Sequence, residues 1–590
     1  MQGTAKSAPI LPSSLSSHRK IIMLQIISGK FFESDDRFAH DGKGILFSNY
    51  SWIQPIETCV ATLEPVDTYA SVSSYVVSYC NQIEKEKPSA KNVLVRTGDS
   101  EIVEQFMIVC SFFLNAFFHQ DRSVVATACR DQRYSSSDYF IPSQFVPRVF
   151  SRQIRGNLNE TEEFTGFVDD LIGLKREDYT SVITSLRCFN DAIQILGTNI
   201  DLAYSLLIYS IEALAQRSDS FEPTWEDYPQ NTRCLLDNIF KEIDSGIAGR
   251  IKNALLKDSN LKSTVRFMSF VSSNIDDAFF IQESPSGHMA LRRSEFTRAL
   301  KNAYVIRSNF AHLLQPIQEQ LRHPQIADGD VVRFSDEPYL TIAGLVRIAR
   351  HVIDNFIKKC EKIAHEEYNW RGSLPGILRM EMAPQYWIWK HEGFVAEHAT
   401  KKLSGFLSQL EGAMLRKGAI TDLRDLLEKY EKLIGQTSSP YRVQLLTTYV
   451  LYNGYVSEEH RSKNYSKVLE KYKTLLDECT IEAMLALLLL GHNWPWRKEE
   501  CVKCWNVYLK TIHRKNTIKI PQTISLSVML ELASMFLADG DESEYTYWMD
   551  MAILEAAGQK ELQHKLIQAK SDVAALKGME VFNLPSNTLS

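Results

Sequence analysis

The spacing of hydrophobic positions changes along the chain and divides it into three parts. In residues 1–151, short runs rich in Val, Ile, Leu and Thr are bounded by Gly or Asp, which is typical of β-strands. These runs predict strands at 20–28, 43–48, 58–64, 92–96 and 123–128. A longer run at 100–119 follows Asp99, a candidate N-cap, and predicts a helix. The strand–helix–strand order predicts an α/β or α+β layer, and we assign an N-terminal α/β domain to these residues.

A polar stretch at 152–163 predicts the first domain boundary, and beyond it the apolar residues recur at helical spacing. We therefore expect an all-α bundle over residues 165–365, with long amphipathic helices at 201–216, 294–315 and 344–363. In the last of these, Leu345, Ile348 and Val352 follow the spacing of a core face.

A second boundary is predicted at 369–376, where Gly372, Pro375 and Gly376 occur. Residues 377–590 are then predicted to form an all-α domain, which makes the whole chain an α+β multidomain protein. The segment 532–555 resembles one tetratricopeptide-type helical hairpin, with Gly540 at the turn and small residues where the helices approach. A solenoid of such hairpins and an ordinary helical domain both remain open.

Composition places the chain among globular proteins and limits how it contacts nucleic acid. Its 590 residues are 44% hydrophobic and 23% charged, and the formal net charge is -6. Dedicated nucleic-acid binders usually carry a basic excess, so any contact with RNA has to come from a local site.

The cysteines and the apolar runs predict a soluble cytoplasmic protein without a membrane partner. The ten cysteines show no framework spacing, which fits reduced thiols better than disulfides. The most apolar runs, 107–118 and 484–490, are too short to span a bilayer, and residues 1–19 lack the apolar core of a signal peptide.

The helix predicted at 294–315 carries the candidate chemistry. Its apolar row is formed by Phe296, Leu300, Ala303, Ile306, Phe310 and Leu314. Arg307 and His312 fall outside this row, about 140° apart on an ideal helix, and Ser308 shares the face of His312. A histidine can deprotonate a ribose 2′-hydroxyl, and an arginine can stabilise the charge that develops on the phosphate. Because these two groups are sufficient for RNA cleavage, neither a metal nor another cofactor is expected.

The spacing from Arg307 to His312 matches the Arg-x(4–6)-His motif of the HEPN superfamily in its shortest form, with Ser308 as the usual polar second residue. In addition, residues 202–216 resemble a helix of the ApeA-like HEPN family, in which an apolar run ends in the tetrad Ile211-Glu212-Ala213-Leu214. The resemblance covers residues 165–365.

The resemblance implies a metal-independent endoribonuclease whose catalytic residues are Arg307, His312, Glu212 and Ser308. It also implies a homodimer in which two motifs face a common cleft, and a role as an RNA-cleaving toxin in anti-phage defence. Glu212 would orient Arg307 or His312 through a charge-assisted hydrogen bond. A protein trigger or regulator would act through the N-terminal domain, which we interpret as a sensor, or through the C-terminal domain.

Other interpretations of these residues remain open. Arg307 and His312 are also compatible with a structural cap and surface pair, Glu212 with a buried ion-pair partner, and the domain with a non-catalytic dimerisation and protein-interaction module. Four cations precede the motif and either guide RNA or form a solvated face: Arg292, Arg293, Arg298 and Lys301.

Two further clusters carry weaker signals for metal binding. Cys501 and Cys504 form a CxxC with His513 further along, but no second pair completes four zinc ligands. The N-terminal cluster of Asp35, Asp36, His40 and Asp41 precedes Gly42 and Gly44, so we interpret its members as turn residues. No metal site is expected at either place.

Overall fold

The computed structural model describes residues 22–85, 99–130, 141–216, 224–228, 230–256, 259–287, 289–323, 329–374, 382–573 and 576–583. It is a mixed α+β protein in which helices predominate. The chain forms two compact units, one extending to Leu378 and one beginning at Arg379, and each has a hydrophobic core of its own. Among the described helices, none combines the length and the apolar character needed to cross a membrane.

The N-terminal part contains an antiparallel sheet of five strands in the order β3–β4–β5–β1–β6. A separate parallel pair joins β2 to β7. The strands are β1 (Arg37–Ser48), β2 (Tyr50–Ser51), β3 (Ile56–Glu57), β4 (Thr62–Asp67), β5 (Ser73–Glu84), β6 (Phe118–His119) and β7 (Ile154–Arg155). The long pair β1–β5 runs from Arg37 opposite Glu84 to Ser48 opposite Ser73 and forms the centre of the sheet. Since this sheet is antiparallel, it is of the α+β type and lacks the parallel order of an α/β domain.

Two of the predicted strands are helices. The run at 20–28 contains α1 (Met23–Ile27), and the run at 123–128 lies in α3 (Arg122–Ala128), where the Asp121 side chain caps the helix by accepting from the Ser123 backbone N–H. All five residues of α1 are buried. A short run that is buried on every side has no periodicity that separates a strand from a helix, which explains the error.

The other N-terminal predictions are correct to different degrees. The strand predicted at 43–48 is the second half of β1, and the one at 58–64 spans the turn between β3 and β4. The helix predicted at 100–119 is α2 (Ser100–Phe113), and Asp99 stands at its N-cap without making a side-chain cap bond. The strand β5 was not predicted, and the run at 92–96 lies outside the described residues.

The N-terminal Asp and His residues do not form the predicted turn. His40 and Asp41 lie within β1, with Gly42 and Gly44 following in the same strand. A Cβ atom on Gly42 would come within 2.3 Å of the Tyr79 ring, and one on Gly44 within 2.4 Å of the Val103 side chain. Gly42 therefore allows close packing between neighbouring strands and Gly44 close packing of α2 on the sheet, and neither glycine is explained by a turn.

The helical part of the first unit shares its hydrophobic core with the sheet. The predicted boundary at 152–163 contains β7 and the start of α5, and one continuous set of buried side chains extends from Ile22 to Leu374. Buried hydrogen bonds also join the two parts, because Gln25 Nε2 donates to the carbonyl oxygen of Ile172 at 3.0 Å and to that of Leu174 at 2.7 Å.

The remaining helices of the first unit are α4 (Pro142–Phe145), α5 (Leu158–Gly173), α6 (Arg176–Ile195), α7 (Ile200–Ala215), α8 (Gln230–Phe240), α9 (Ser245–Leu255), α10 (Ser259–Ser273), α11 (Asp277–Ile281), α12 (Arg293–Leu313), α13 (Glu319–Arg322) and α14 (Ile342–Lys359).

The central part is not all-α, because a β-hairpin interrupts it between α13 and α14. The hairpin pairs β8 (Val331–Phe334) with β9 (Glu337–Leu340). Its two turn residues, Ser335 and Asp336, both have positive φ, at 51° and 60°, as tight hairpin turns with two central residues require. The strands are only four residues long, so they left too little alternation to be predicted.

The second unit is helical, as predicted. Its helices are α15 (Ala399–Met414), α16 (Arg424–Leu433), α17 (Tyr441–Tyr455), α18 (Tyr465–Tyr472), α19 (Ile481–Leu489), α20 (Lys498–Thr511), α21 (Gln522–Ala538), α22 (Glu542–Glu555) and α23 (Lys560–Ser571). The helical hairpin predicted at 532–555 corresponds to the end of α21 and to α22, and Gly540 lies in the turn between them with φ 75°.

Candidate functional site

The helix α12 positions the Arg307–His312 motif. Four members of its predicted apolar row are buried, namely Phe296, Leu300, Ala303 and Ile306. The last two members of the row are less buried, since Phe310 is half-buried and Leu314 is 77% exposed. Leu314 is the C-cap residue in a left-handed conformation, so the helix ends one residue after His312. The motif thus begins on the packed part of α12 and finishes at its exposed end.

Arg307 forms an ion pair with Glu212 of α7. The Nη2 group of Arg307 donates to Oε2 of Glu212, and the two side chains are only 14% and 12% exposed. The other carboxylate oxygen, Oε1, accepts a hydrogen bond from the Tyr304 hydroxyl at 3.1 Å. Both oxygens of Glu212 are therefore occupied, and the carboxylate holds α7 and α12 together at this level.

Two tyrosine rings fix the position of the guanidinium group. Its central carbon lies 4.3 Å from the centroid of the Tyr209 ring and 5.2 Å from that of Tyr304, within the range of a cation–π contact. Burial, and secondarily the nearby charge of Glu212, raise the pKa of Tyr304 to about 12, so its hydroxyl stays protonated and remains a donor. Arg307 is thus restrained by two aromatic rings as well as by its ion pair.

Not all of the guanidinium nitrogens are engaged. Among the described residues, Nε of Arg307 is buried without a hydrogen-bond partner. Nη1 also has none, but it is not among the buried unpaired atoms, so it reaches solvent. An incoming phosphate oxygen would therefore find a donor at Nη1 that no group of the described residues occupies.

His312 is exposed in the last turn of α12 and is not joined to the Arg307–Glu212 pair. Within the described part of the chain, its imidazole makes no hydrogen bond or ion pair with either residue. Ser308 is half-buried, and its hydroxyl likewise has no partner there. A single chain therefore brings Arg307 and Glu212 together and leaves His312 free.

The four cations predicted to guide RNA lie toward the other end of α12. Arg298 is about 21 Å from His312 along the helix axis, and its Nε donates to Oε2 of Glu337 at 2.5 Å. Asn302 donates to the same carboxylate at 3.1 Å, and the hydrogen bond from Arg298 lowers the pKa of Glu337 to about 2. The charge of Arg298 is thus balanced within the chain. The other three, Arg292, Arg293 and Lys301, are exposed.

Sequence reasoning missed the two tyrosines, although a signal for them exists. Tyr209 precedes Glu212 by three residues, and Tyr304 precedes Arg307 by three. Side chains with this separation are neighbours on one helix face, so each member of the ion pair has a tyrosine beside it. The detectable pattern was a tyrosine three residues before a charged residue on each of two helices, with charges of opposite sign.

A second polar cluster, also missed, surrounds the buried His351 of α14. Its Nδ1 lies 2.8 Å from Oε1 of Glu283, and its Nε2 lies 2.9 Å from Nδ2 of Asn355. The hydrogen bond with His351 lowers the pKa of Glu283. Both ring nitrogens are engaged and the residue is 6% exposed, which indicates a structural histidine.

The CxxC of the second unit gains a third cysteine but no metal site. Cys501 and Cys504 lie on α20, and Cys479, just before α19, is within hydrogen-bond distance of both. His513 lies beyond the end of α20 and is exposed. Nowhere in the described ranges do three or more His, Cys, Asp or Glu residues form a group that could hold a metal ion, and the cysteines described there are free.

Taken together, α7 and α12 present a restrained arginine with one open donor and, beyond it, a free imidazole. They place a restrained cation and an exposed imidazole on one helix. Comparison of the chain with protein-family models, with curated proteins and with solved structures found no match among any of them.

Proposed function

We propose that this protein is a metal-independent endoribonuclease of HEPN type. The observation that carries the proposal is the contrast within one motif: Arg307 is held in place by Glu212 and two tyrosines, whereas Nη1 of Arg307 and the imidazole of His312 are open to solvent. A restrained cation and an unoccupied base are what phosphodiester cleavage by a ribose 2′-hydroxyl requires.

In the proposed reaction, His312 takes the proton of the 2′-hydroxyl while the 2′-oxygen attacks the adjacent phosphorus. The bond between phosphorus and the 5′-oxygen breaks, and Arg307 stabilises the negative charge that develops on the phosphate oxygens. The products are a 2′,3′-cyclic phosphate and a free 5′-hydroxyl. DNA is inert because it lacks the attacking group.

We propose that two chains build the complete site. Arg307 and His312 lie about 140° apart on their helix, so the imidazole of one chain is poorly directed toward the arginine of the same chain. Beside His312, the side chains of Leu313 and Leu314 are 71% and 77% exposed, which provides apolar surface for a second copy. A homodimer would also supply a second histidine to protonate the leaving 5′-oxygen.

The proposal is tested with purified protein and cellular RNA in the presence of EDTA. Wild type is expected to cleave RNA, and Arg307→Ala and His312→Ala to lose at least about a hundredfold in rate, as removal of a general base or a charge-stabilising donor does. His323→Ala is the matched control, because His323 is also an exposed histidine of the first unit. Activity that chelation abolishes and magnesium restores would contradict the mechanism, as would wild-type rates in either variant.

We further propose that the enzyme is a regulated toxin in anti-phage defence, with RNA as its substrate and a protein trigger acting through the N-terminal or C-terminal part. The HEPN resemblance supports this role, and the helical hairpin α21–α22 supports a tetratricopeptide-like binding surface in the second unit. Induced expression in bacteria should arrest growth, and His312→Ala should restore it.

The second candidate function is a non-catalytic dimerisation and interaction module. The Arg307–Glu212 pair favours it in one respect, because a mostly buried ion pair with compensated charge is also what a purely structural contact requires. The two functions differ in what His312→Ala does. A ribonuclease loses RNA cleavage with that change, whereas a structural module cleaves no RNA with or without it and keeps its dimerisation.

A further inference from the structure

A cavity of about 780 Å³ opens on the surface of the second unit. It lies between the start of α19, the exposed side of α20 and the segment at 516–518. Glu482, Trp496, Cys504 and Tyr508 are among the residues that line it. Its volume falls within the range of about 300–1,000 Å³ that is typical of small-molecule sites. None of the lining residues belongs to the proposed ribonuclease site.

The wall of the cavity contains a buried carboxylate. Glu482 lies in the first turn of α19 and is only 7% exposed. Its Oε1 accepts a hydrogen bond from Gln444 Nε2 at 3.0 Å, and Gln444 in turn accepts one from Thr400 at 2.8 Å. No lysine or arginine in the described part of the chain forms an ion pair with it. Glu482 is therefore held by neutral donors, the Gln444 amide and its own backbone N–H, and no cation among the described residues balances its charge.

This environment makes the ionised form of Glu482 dependent on a positive partner. Burial raises the pKa of the Glu482 carboxyl, and the hydrogen bond from Gln444 only partly offsets that effect. The helix dipole favours a negative charge at this position in the first turn of α19. A cation brought into the cavity would pair with a carboxylate that is poorly hydrated, and such pairs are strong.

The remaining wall suits the body of an organic cation. Trp496 and Tyr508 supply aromatic surface, and the Trp496 ring is fixed because its Nε1 donates to the carbonyl oxygen of Asp477 at 2.6 Å. Aromatic faces attract ammonium and guanidinium groups. The mouth carries the exposed carboxylates of Asp477, Glu478 and Glu500 against the single cation Lys503, so the approach is negative overall.

We propose that this cavity binds a small organic cation whose ammonium or guanidinium group pairs with Glu482. The acidic mouth disfavours nucleotides and other phosphate-bearing ligands. A resident metal ion does not fit either, since the described residues offer no suitable group of ligands. The thiol of Cys504 lies in the same wall, where burial raises its pKa to about 12, and it contributes as neutral, polarisable surface.

The test is calorimetric titration of the full chain with agmatine and spermidine as cationic probes and 1-pentanol as an uncharged probe. At least one cation should bind saturably at one site, and at least about tenfold more tightly than the alcohol, as expected for a charge-assisted contact. Glu482→Gln should weaken binding about tenfold or more. Glu542→Gln is the matched control, because Glu542 is also a first-turn glutamate of the second unit but is exposed.

Absence of binding by both cations overturns the proposal, and so does equal affinity in wild type and Glu482→Gln. Binding of a lysine-bearing peptide but of neither small cation also overturns it, because the occupant would then be a protein. If Glu482→Gln fails to fold, Trp496→Leu takes its place. It should weaken cation binding severalfold, and unchanged affinity in that variant counts against the proposal.

Discussion

Around Glu212, one carboxylate serves two donors on a neighbouring helix. It accepts from Arg307 through one oxygen and from Tyr304 through the other, at a site where all three side chains are largely removed from water. Removing the carboxylate would leave a buried cation without compensation. Removing His312 would leave nothing unpaired, because the imidazole is exposed and makes no bond in the described structure.

These two environments predict different effects on stability. Glu212→Ala should lower the free energy of unfolding by about 3 kcal/mol, the cost of breaking one side of a buried ion pair. Glu212→Gln should cost less, about 1 kcal/mol, because an amide still accepts one of the two hydrogen bonds. Urea denaturation followed by circular dichroism measures both values.

His312→Ala provides the comparison within the same motif and should change the free energy of unfolding by less than about 0.5 kcal/mol. Similar losses for Glu212→Ala and His312→Ala would contradict the assignment of a restrained and a free residue.

Close packing at Gly42 gives a prediction for the sheet. Gly42 of β1 stands directly opposite Tyr79 of β5, and the tyrosine ring occupies the space of the missing side chain. Gly42→Ala should therefore cost about 1–3 kcal/mol of stability, as overpacking does. Gly166→Ala in α5 is the control, because no atom lies within 4 Å of the added Cβ, and it should stabilise the helix by about 0.5–1 kcal/mol. Thermal unfolding of the two variants distinguishes the cases.

The hairpin β8–β9 is fastened to α12 by two ion pairs that involve Glu337 and Arg333. Arg298 of α12 pairs with Glu337, and Arg333 pairs with Glu295 through two contacts of 2.7 Å each. The strands that sequence patterns missed are thus tied to the helix that carries the motif. Both contacts include a glutamate carboxylate that solvent still reaches, so they respond to pH.

The pair Arg298–Glu337 predicts a defined pH dependence. The pKa of Glu337 is lowered from 4.5 to about 2, chiefly by its hydrogen bond with Arg298. A carboxyl whose pKa is lower in the folded state stabilises the fold above its unfolded pKa and loses that contribution as the pH falls through the folded value. Part of the acid destabilisation between pH 4.5 and about 2 should therefore disappear in Glu337→Gln. Parallel unfolding curves for both proteins over this range would contradict the assignment.

Long amphipathic helices were predictable, and short elements were not. The helices expected at 201–216 and 344–363 correspond to α7 and α14 within a few residues, since several turns of apolar spacing identify a helix on their own. The helices α1 and α3 have five and seven residues, and at this length a buried strand and a buried helix have the same sequence pattern. Their conformation is decided by contacts with distant segments, such as those of α1 with Ile172 and Leu174.

The contact of Glu212 with the motif was predictable, but the choice between Arg307 and His312 was not. Glu212 was expected to orient Arg307 or His312, and in the structure it pairs with Arg307 while His312 stands apart. Helical angles alone leave that choice open, because it depends on how α7 and α12 cross. Tyr209 and Tyr304 escaped attention since an aromatic residue on a helix is usually part of the core.

For the molecule as a whole, the proposed dimer would decide whether Arg307 and His312, which lie apart in one chain, can act on one phosphate. Each chain offers an arginine on the packed part of α12 and a histidine at its exposed end, next to Leu313 and Leu314. An isologous pairing of two chains would place the residues of one beside those of the other. The formal net charge of -6 gives the chain as a whole no attraction for RNA, so the proposed enzyme would need such a local basic cleft.

Mixing two inactive proteins tests the composite site. Arg307→Ala and His312→Ala should each be inert alone, while their mixed dimers retain one arginine and one histidine from opposite chains. About a quarter of wild-type activity or less is expected in a statistical mixture, since only half of the dimers are mixed and each holds at most one intact site. RNA cleavage by a strict monomer, checked by gel filtration with light scattering, would rule out a shared site.

The common core of the first unit also bears on how such a protein can evolve. Sheet and helices bury one continuous set of side chains, and the stretch at 152–163 crosses it without dividing it. A recombination event at that point would join half a core to an unrelated partner and expose apolar surface on both products. We therefore expect the sheet and the Arg307–His312 helix to be inherited together. Exchange of a whole domain should disturb the packing least near Leu378, where one compact unit ends in the sequence and the other begins, each with its own core.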